Sequence, residues 1–247
     1  MTKTNLQKFI TKYSLKGTIN AVKWGVASAD KTLNVKAITE DKTLLVDIVW
    51  NNFVDIDKDI EIGVYETDKL EKMLKALSEE ITVEVNDVDG KITSLGLSDK
   101  NTEIQFMTAE LSVIPKSSSL KKTPPYEVEI ELTKDFTSKF KSAKDALSDE
   151  EKLTFLMGKK SKKIQMVLGY SSINSNRITL DVPALDGKDS IKTELSFNAN
   201  YFKSILDANG DCENAVLHVA ESGLASVQFV CGDFTATYHM TKIQSAD

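Results

Sequence analysis

Few side chains in this sequence combine the types and spacing that chemistry needs. Gly158-Lys159-Lys160-Ser161 has the ingredients of a phosphate-cradling loop, but the earlier glycine and the Gly-Lys-Ser/Thr order are missing, so it reads as a hairpin turn. Asn86-Asp87-Val88-Asp89-Gly90 offers the oxygens of a calcium loop. With Gly90 at the sixth position, Val85 and Gly96 would stand first and twelfth, where carboxylates must bind the ion. It too reads as a turn. Asp55, Asp57, Asp59 and Glu61 alternate, which would set four carboxylates on one strand face, and a solvated acidic face is the simpler reading. His218 and His239 fall in predicted strands near Cys212 and Cys231, at a spacing that matches no common zinc site. No serine, cysteine or histidine stands beside a recognisable base. The sequence therefore predicts no catalytic residue, no metal ligand and no cofactor.

The remaining chemistry is charge. The chain has 247 residues, 31 basic against 37 acidic, for a net charge of −6. With 28% charged and 41% hydrophobic residues it belongs with folded rather than disordered chains. Arg177 is its single arginine, so bidentate grip on phosphates or base edges is nearly absent. Two cysteines provide no disulfide framework, and a reducing compartment is the simpler reading. The first ten residues hold polar and charged side chains where a signal peptide needs an apolar run, and no segment approaches the roughly 18 apolar residues of a membrane span. A cytoplasmic protein without a membrane partner is expected.

The lysines collect on helices. Helical spacing occurs at about 5–13, 68–77, 134–147 and 200–208. In the first segment Leu6, Phe9, Ile10 and Tyr13 share one face, with Lys8 and Lys12 opposite and Lys3 just before. In the second, Leu70, Met73, Leu74 and Leu77 face inward, Lys72 and Lys75 outward, and Lys69 flanks them. The third turns Phe136, Phe140, Ala143 and Leu147 inward, with Lys134 and Lys141 outward and Lys139 and Lys144 at the edges. The fourth buries Tyr201, Phe202, Ile205 and Leu206 and carries Lys203. Lysine is a good helix former and belongs on solvated helix faces. Four such helices in an acidic chain say more, because strands and hairpins hold many of the carboxylates. Glu66, Asp68, Glu71, Asp135 and Asp145 dilute the pattern. A lysine surface attracts phosphates without reading bases.

Most other segments alternate with period two, as in Ile60-Glu61-Ile62-Gly63-Val64 and Glu127-Val128-Glu129-Ile130-Glu131-Leu132. Three of the four prolines fall in PKSSSLKKTPP (115–125), which has no acidic residue and reads as an exposed linker. It separates domains at 1–114 and 126–247. Residues 60–108 run strand, helix, three strands, and 193–241 repeat that order. The second domain reads as two βαβββ units, and the first lacks only the strand before its opening helix. The fold class is α+β, with two similar domains of duplicated βαβββ units.

On these features the chain resembles the DNA polymerase sliding clamp, or processivity factor, and most of all the clamps of T-even-type tailed bacteriophages. The segments DIEIGVYETDKLEKMLKAL and ELSFNANYFKSIL, with the Asn198-Ala199-Asn200-Tyr201-Phe202 approach to the last helix and three short strands to follow, carry the resemblance. The resemblance implies a head-to-tail homotrimer that encircles duplex DNA without regard to sequence. Helices would lie on the inner face of an antiparallel sheet layer. The ring would tether a DNA polymerase and be opened by a clamp-loader ATPase, in the bacterial host cytoplasm if phage-encoded. The DNA-facing lysines would be Lys8, Lys12, Lys72, Lys75, Lys134, Lys141 and Lys203, with Lys3, Lys69, Lys139 and Lys144 at the margins. Subunits would meet through 103–109 and 175–182. Partner peptides would dock at Val113, Ile114, Leu120, Met240 and Ile243 beside the linker. The rival readings are a β-rich viral structural ring subunit whose lysines are only solvated, and a hydrolase whose site lacks a recognisable motif.

Overall fold

Alternation of buried and exposed side chains governs the strands, and helix caps set most of the remaining boundaries. The computed structural model describes residues 1–117, 120, 122–158, 163–171, 175–213 and 215–243. Its contacts divide the chain into one unit of Met1–Thr39, Leu45–Ser119 and Gly232–Ala236, and another of Glu40–Leu44, Leu120–Cys231 and Thr237–Asp247. No helix among the described residues is long and apolar enough to cross a membrane.

The first unit opens with helix α1 (Lys3–Ser14), started by Thr2, whose side chain accepts from the Asn5 amide. Strands β1 (Ala21–Ala27), β2 (Thr32–Ile38), β3 (Leu44–Asn51) and β4 (Ile60–Tyr65) form antiparallel pairs in the order β3-β2-β1-β4. Strict alternation in β1 to β3 turns Trp24, Val35, Ile48 and Trp50 inward. Helix α1 lays Phe9 on this face, its ring 5.8 Å from Trp24 and 6.0 Å from Trp50. The Trp24 indole N–H donates to the Tyr13 hydroxyl at 3.2 Å, and complete burial pushes that phenol well above its usual pKa. Helix α2 (Thr67–Leu74) is shorter than its spacing predicts. Beyond Leu74 the chain tightens into three-residue bonds, with Lys75, Ala76 and Leu77 amides donating to Lys72, Met73 and Leu74, so Leu77 is buried outside the regular helix.

Strands β5 (Thr82–Val88), β6 (Lys91–Ser98) and β7 (Glu103–Met107) form a separate antiparallel sheet in that order. Asp89 and Gly90 both have positive φ, 53° and 76°, which makes the calcium-like segment a tight hairpin turn, as its sequence implies. A single bridge joins Gly63 of β4 to Ala109, where the Ala109 amide donates to the Gly63 carbonyl at 2.9 Å. A Cβ at position 63 would sit 2.2 Å from the Ala109 oxygen, so only glycine admits this approach.

The second unit contains β8 (Val128–Glu131), α3 (Lys134–Ala146), β9 (Lys152–Met157), β10 (Ile164–Leu168), β11 (Ile178–Asp181), β12 (Ala184–Asp189) and β13 (Leu195–Asn198). Helix α4 (Ala199–Ala208) and strands β14 (Val216–Val219), β15 (Leu224–Cys231) and β16 (Phe234–Thr241) complete the order, with Phe234–Ala236 of β16 counted in the first unit. One sheet runs β11-β10-β9-β13, and other strands run β12-β8-β14-β15-β16. Thr133 caps α3 through the Phe136 amide, and Asn198 caps α4 through the Asn200 and Tyr201 amides. Phe140 and Phe202 meet edge to face at 4.9 Å where the two helices pack. Buried Asn209 closes α4, donating at 2.9 Å both to the Ile205 carbonyl and to the Tyr238 hydroxyl.

Two features depart from the sequence reading. Strand β12 is an addition to the duplicated unit: it pairs with β8, bringing Ala184 opposite Ile130 and Asp189 opposite Val128. Its sequence, ALDGKD, lacks the alternation that announces the other strands. Cys212 and Cys231, read as thiols of a reducing compartment, form a disulfide with their Cα atoms 5.2 Å apart. One lies in the turn after α4 and the other ends β15, so no spacing within either segment reveals the pair. The linker positions 118, 119 and 121 and positions 159–161 of the phosphate-loop-like segment lie outside the described residues.

Candidate nucleic-acid interface

Each unit presents a pair of packed helices, α1 with α2 and α3 with α4. Their apolar faces bury against neighbouring elements, which leaves the opposite faces to carry charge. The lysines placed there by sequence divide sharply by environment. Lys8, Lys69, Lys72, Lys75, Lys134 and Lys139 are exposed. Two of these hold a carboxylate one turn earlier: Lys72 pairs with Asp68 at 3.1 Å and Lys139 with Asp135 at 2.7 Å. Lys69 pairs with Glu66 at 3.3 Å. The Lys72 bond holds the Asp68 carboxyl below its usual pKa. Exposed pairs of this kind are worth only a few tenths of a kcal/mol, so a phosphate can displace the carboxylate at little cost.

Five of the predicted lysines have structural work instead. Lys12 is 1% exposed, its ammonium 5.9 Å from the centre of the Phe234 ring. A helical wheel sets it away from Leu6 and Ile10, but Phe234, distant in sequence, covers it. Lys144 is 4% exposed and closes the C-terminus of α3, donating to the Ser148 carbonyl at 2.6 Å and, more weakly, to that of Leu147 at 3.4 Å. These two are corrections to the sequence assignment: neither ammonium lies on an open face. Lys141 ties α3 to α4 through the Leu206 carbonyl and Asp207, both at 3.1 Å. Lys203 is half-buried between Asp207 at 3.1 Å and Asp145 at 3.5 Å, and the bond to Asp207 raises its pKa. Lys3 donates to the Leu77 carbonyl at 2.5 Å.

Sequence reasoning passed over Ser138 and Ser142, exposed on α3 beside Lys134 and Lys139. Their spacing of three and four residues from those lysines was the available signal, and their hydroxyls add neutral donors suited to phosphate oxygens.

Among the partner-docking candidates, Val113 and Leu120 are exposed and Ile243 is half-exposed, whereas Ile114 and Met240 are buried at 3%. Buried side chains cannot offer an open apolar surface, so Ile114 and Met240 support their own units. The predicted subunit contacts fall on strand edges: β7 ends the three-stranded sheet and β11 ends the four-stranded one. Met107 on β7 is 64% exposed.

The other chemistry-bearing groups separate. Asp55 binds the N-terminal amine at 2.8 Å, Asp59 accepts from the Ser28 hydroxyl and amide at 2.7 Å, and Glu61 pairs with Lys23 at 3.3 Å. Those Ser28 bonds hold the Asp59 carboxyl below its usual pKa. Because β4 begins only at Ile60, the alternation does not become one acidic face. His218 stacks on Tyr126 at 5.0 Å, and His239 meets the Ser226 hydroxyl through Nδ1 at 2.8 Å. Gly158 is described, but the rest of its phosphate-loop-like segment is not.

No protein-family model matches the sequence, and no curated protein matches it. Solved structures do. The crystal structure of Proliferating Cellular Nuclear Antigen (PCNA) from Entamoeba histolytica is similar over 98% of this chain and 96% of its own, with a TM-score of 0.74 at 14% identity. PCNA of A. fulgidus, solved with the C-terminal region of FEN-1 bound, is similar over 100% and 98%, with a TM-score of 0.74 at 16% identity. The chain has the sliding-clamp fold. The clamp fold accounts for the repeated strand-helix-strand order and for the two helix pairs, and it agrees with the α+β class expected from sequence.

Proposed function

We propose that this protein is a non-enzymatic sliding clamp: a head-to-tail homotrimer that encircles duplex DNA and tethers a DNA polymerase for processive replication. The observation that carries the reading is similarity to PCNA structures over nearly the whole of both chains. The exposed lysines of three of the four helices supply a compatible chemistry. A ring holds DNA by topology, so weak and exchangeable phosphate contacts suffice, and lysine ammoniums exchange phosphates readily. The DNA-facing set is Lys8, Lys69, Lys72, Lys75, Lys134 and Lys139, with Lys141 and Lys203 restraining the helices that carry part of it.

Strands β7 and β11 are the edges through which neighbouring subunits would pair, and a head-to-tail contact that closes makes a ring. Val113, Leu120 and Ile243 form the apolar candidates for partner peptides. One solved clamp has a C-terminal region of a partner bound, which is the kind of ligand this reading expects. A separate clamp-loader ATPase would open the ring. The segments around 59–77 and 194–206 support a T-even-type phage origin and hence work in a bacterial cytoplasm.

The test is retention on DNA. Loaded protein should remain on nicked circular DNA and run off linear DNA of the same sequence, with light scattering reporting about three chains per particle. Equal retention on both forms would leave only ordinary surface adsorption and end the clamp reading.

A further inference from the structure

The disulfide has a third neighbour. Asp211 Oδ1 lies 3.7 Å from Cys212 Sγ and 3.8 Å from Cys231 Sγ. The three donor atoms fall within 4.8 Å of one another, and among the described residues no other group of three histidine, cysteine, aspartate or glutamate donors is so close. The geometry points to a metal site that is present only when the cysteines are reduced: Cys212, Cys231 and Asp211 binding one thiophilic divalent cation of the zinc class.

The spacing fits that chemistry. In a tetrahedral zinc site, bonds of about 2.3 Å to sulfur and about 2.0 Å to oxygen hold neighbouring sulfur and oxygen ligands roughly 3.5 Å apart. The two sulfur–oxygen distances are already close to this. Reduction breaks the S–S bond and lets the sulfurs part to the separation two thiolates take on one ion. The two Cα atoms stand 5.2 Å apart. Cys212 is held by its amide bond to the Asn209 carbonyl at 3.0 Å, and Asn209 is itself anchored in the core. Cys212 is buried, Cys231 half-buried and Asp211 exposed, so the ion enters from the carboxylate side and a water completes the fourth position.

The steps balance. A dithiol reductant delivers two electrons and two protons, becomes a disulfide, and leaves Cys212 and Cys231 as thiols. The cation then displaces both thiol protons to solvent as two metal–sulfur bonds form. Two thiolates favour zinc or cadmium over magnesium or calcium, and the disulfide form has no thiolate to offer. Oxidation and metal binding are therefore mutually exclusive.

The experiment uses the full chain, reduced under argon, titrated with Cd²⁺. A thiolate-to-metal charge-transfer band should rise to one cadmium per chain, be displaced by Zn²⁺ and be untouched by Mg²⁺. Oxidised protein should give no band, Cys212→Ser and Cys231→Ser should abolish it, and Asp211→Asn should weaken binding about tenfold. Circular dichroism checks that each variant folds. Should either cysteine variant fail to fold, alkylation of the reduced wild-type chain takes its place, and Cd²⁺ should slow it. The proposal is overturned if the reduced chain binds no cadmium, if the oxidised chain binds equally, or if Asp211→Asn binds as tightly as wild type.

Discussion

Lys139 and Lys144 stand five positions apart on α3 and look interchangeable in sequence, yet the structure predicts opposite phenotypes for them. Replacing Lys144 with methionine keeps an unbranched stem of similar length and removes the ammonium. It deletes one short charge-assisted bond, to the Ser148 carbonyl at 2.6 Å, and a long one to Leu147 at 3.4 Å. The short bond is worth about 1.5–3 kcal/mol, and a cation at a helix C-terminus adds roughly 0.3–1 kcal/mol. No cavity forms, so a loss of about 2 kcal/mol is expected. For the 247-residue chain unfolding as one, that is a fall in Tm of about 4–8 °C. Lys139→Met breaks only an exposed pair with Asp135 and should cost at most about 0.5 kcal/mol. The DNA readout reverses the order. Lys139→Met should lower the slope of log affinity against log salt by up to about 0.9 for each phosphate it no longer neutralises, and Lys144→Met should leave it unchanged. Thermal melts and salt titrations on circular DNA measure both. If Lys144→Met melts with wild type, or shifts the salt slope as much as Lys139→Met, the division of lysines into structural and DNA-facing sets is wrong.

Three further outcomes follow from particular contacts. Gly63→Ala should destabilise the first unit by about 1–3 kcal/mol in urea unfolding, because its Cβ would meet the Ala109 oxygen at 2.2 Å; an unchanged midpoint would refute that close approach. Asp99 accepts from the Ser78, Asn101 and Thr102 amides, which hold its carboxyl well below the ordinary value. A pKa depressed in the folded state stabilises above the unfolded value and is lost as pH falls through the folded one. The advantage of wild type over Asp99→Asn should therefore be full at pH 7 and shrink below about pH 4, and a pH-independent difference in Tm would contradict it. Met107→Lys, on the exposed edge of β7, should leave the fold intact and reduce the scattering mass toward one chain; a persistent trimer would move the subunit interface elsewhere.

The helices were legible because their signals are local. Apolar residues at three- and four-residue spacing outline α1, α3 and α4 to within a residue or two, and Thr2, Thr133 and Asn198 cap them from adjacent positions. The Asp89-Gly90 turn and the alternation of β1 to β3 are equally local. The exposed half of the lysine set could be read in the same way, since Lys72 and Lys139 pair with carboxylates four residues earlier on their own helices.

What the sequence by itself determined, then, was periodicity: which side of most elements is apolar, where α1, α3 and α4 begin, and that two similar halves follow one another. Tertiary structure alone decided which polar groups lose their water. Lys12 is buried with its ammonium over the distant Phe234 ring, and β12 exists because β8 supplies its hydrogen bonds. Cys212 and Cys231 meet because the turn after α4 reaches the end of β15. The physical reason is one of range. Propensity and capping act over three or four residues, whereas burial and bond formation depend on whichever distant segment the packed core brings alongside.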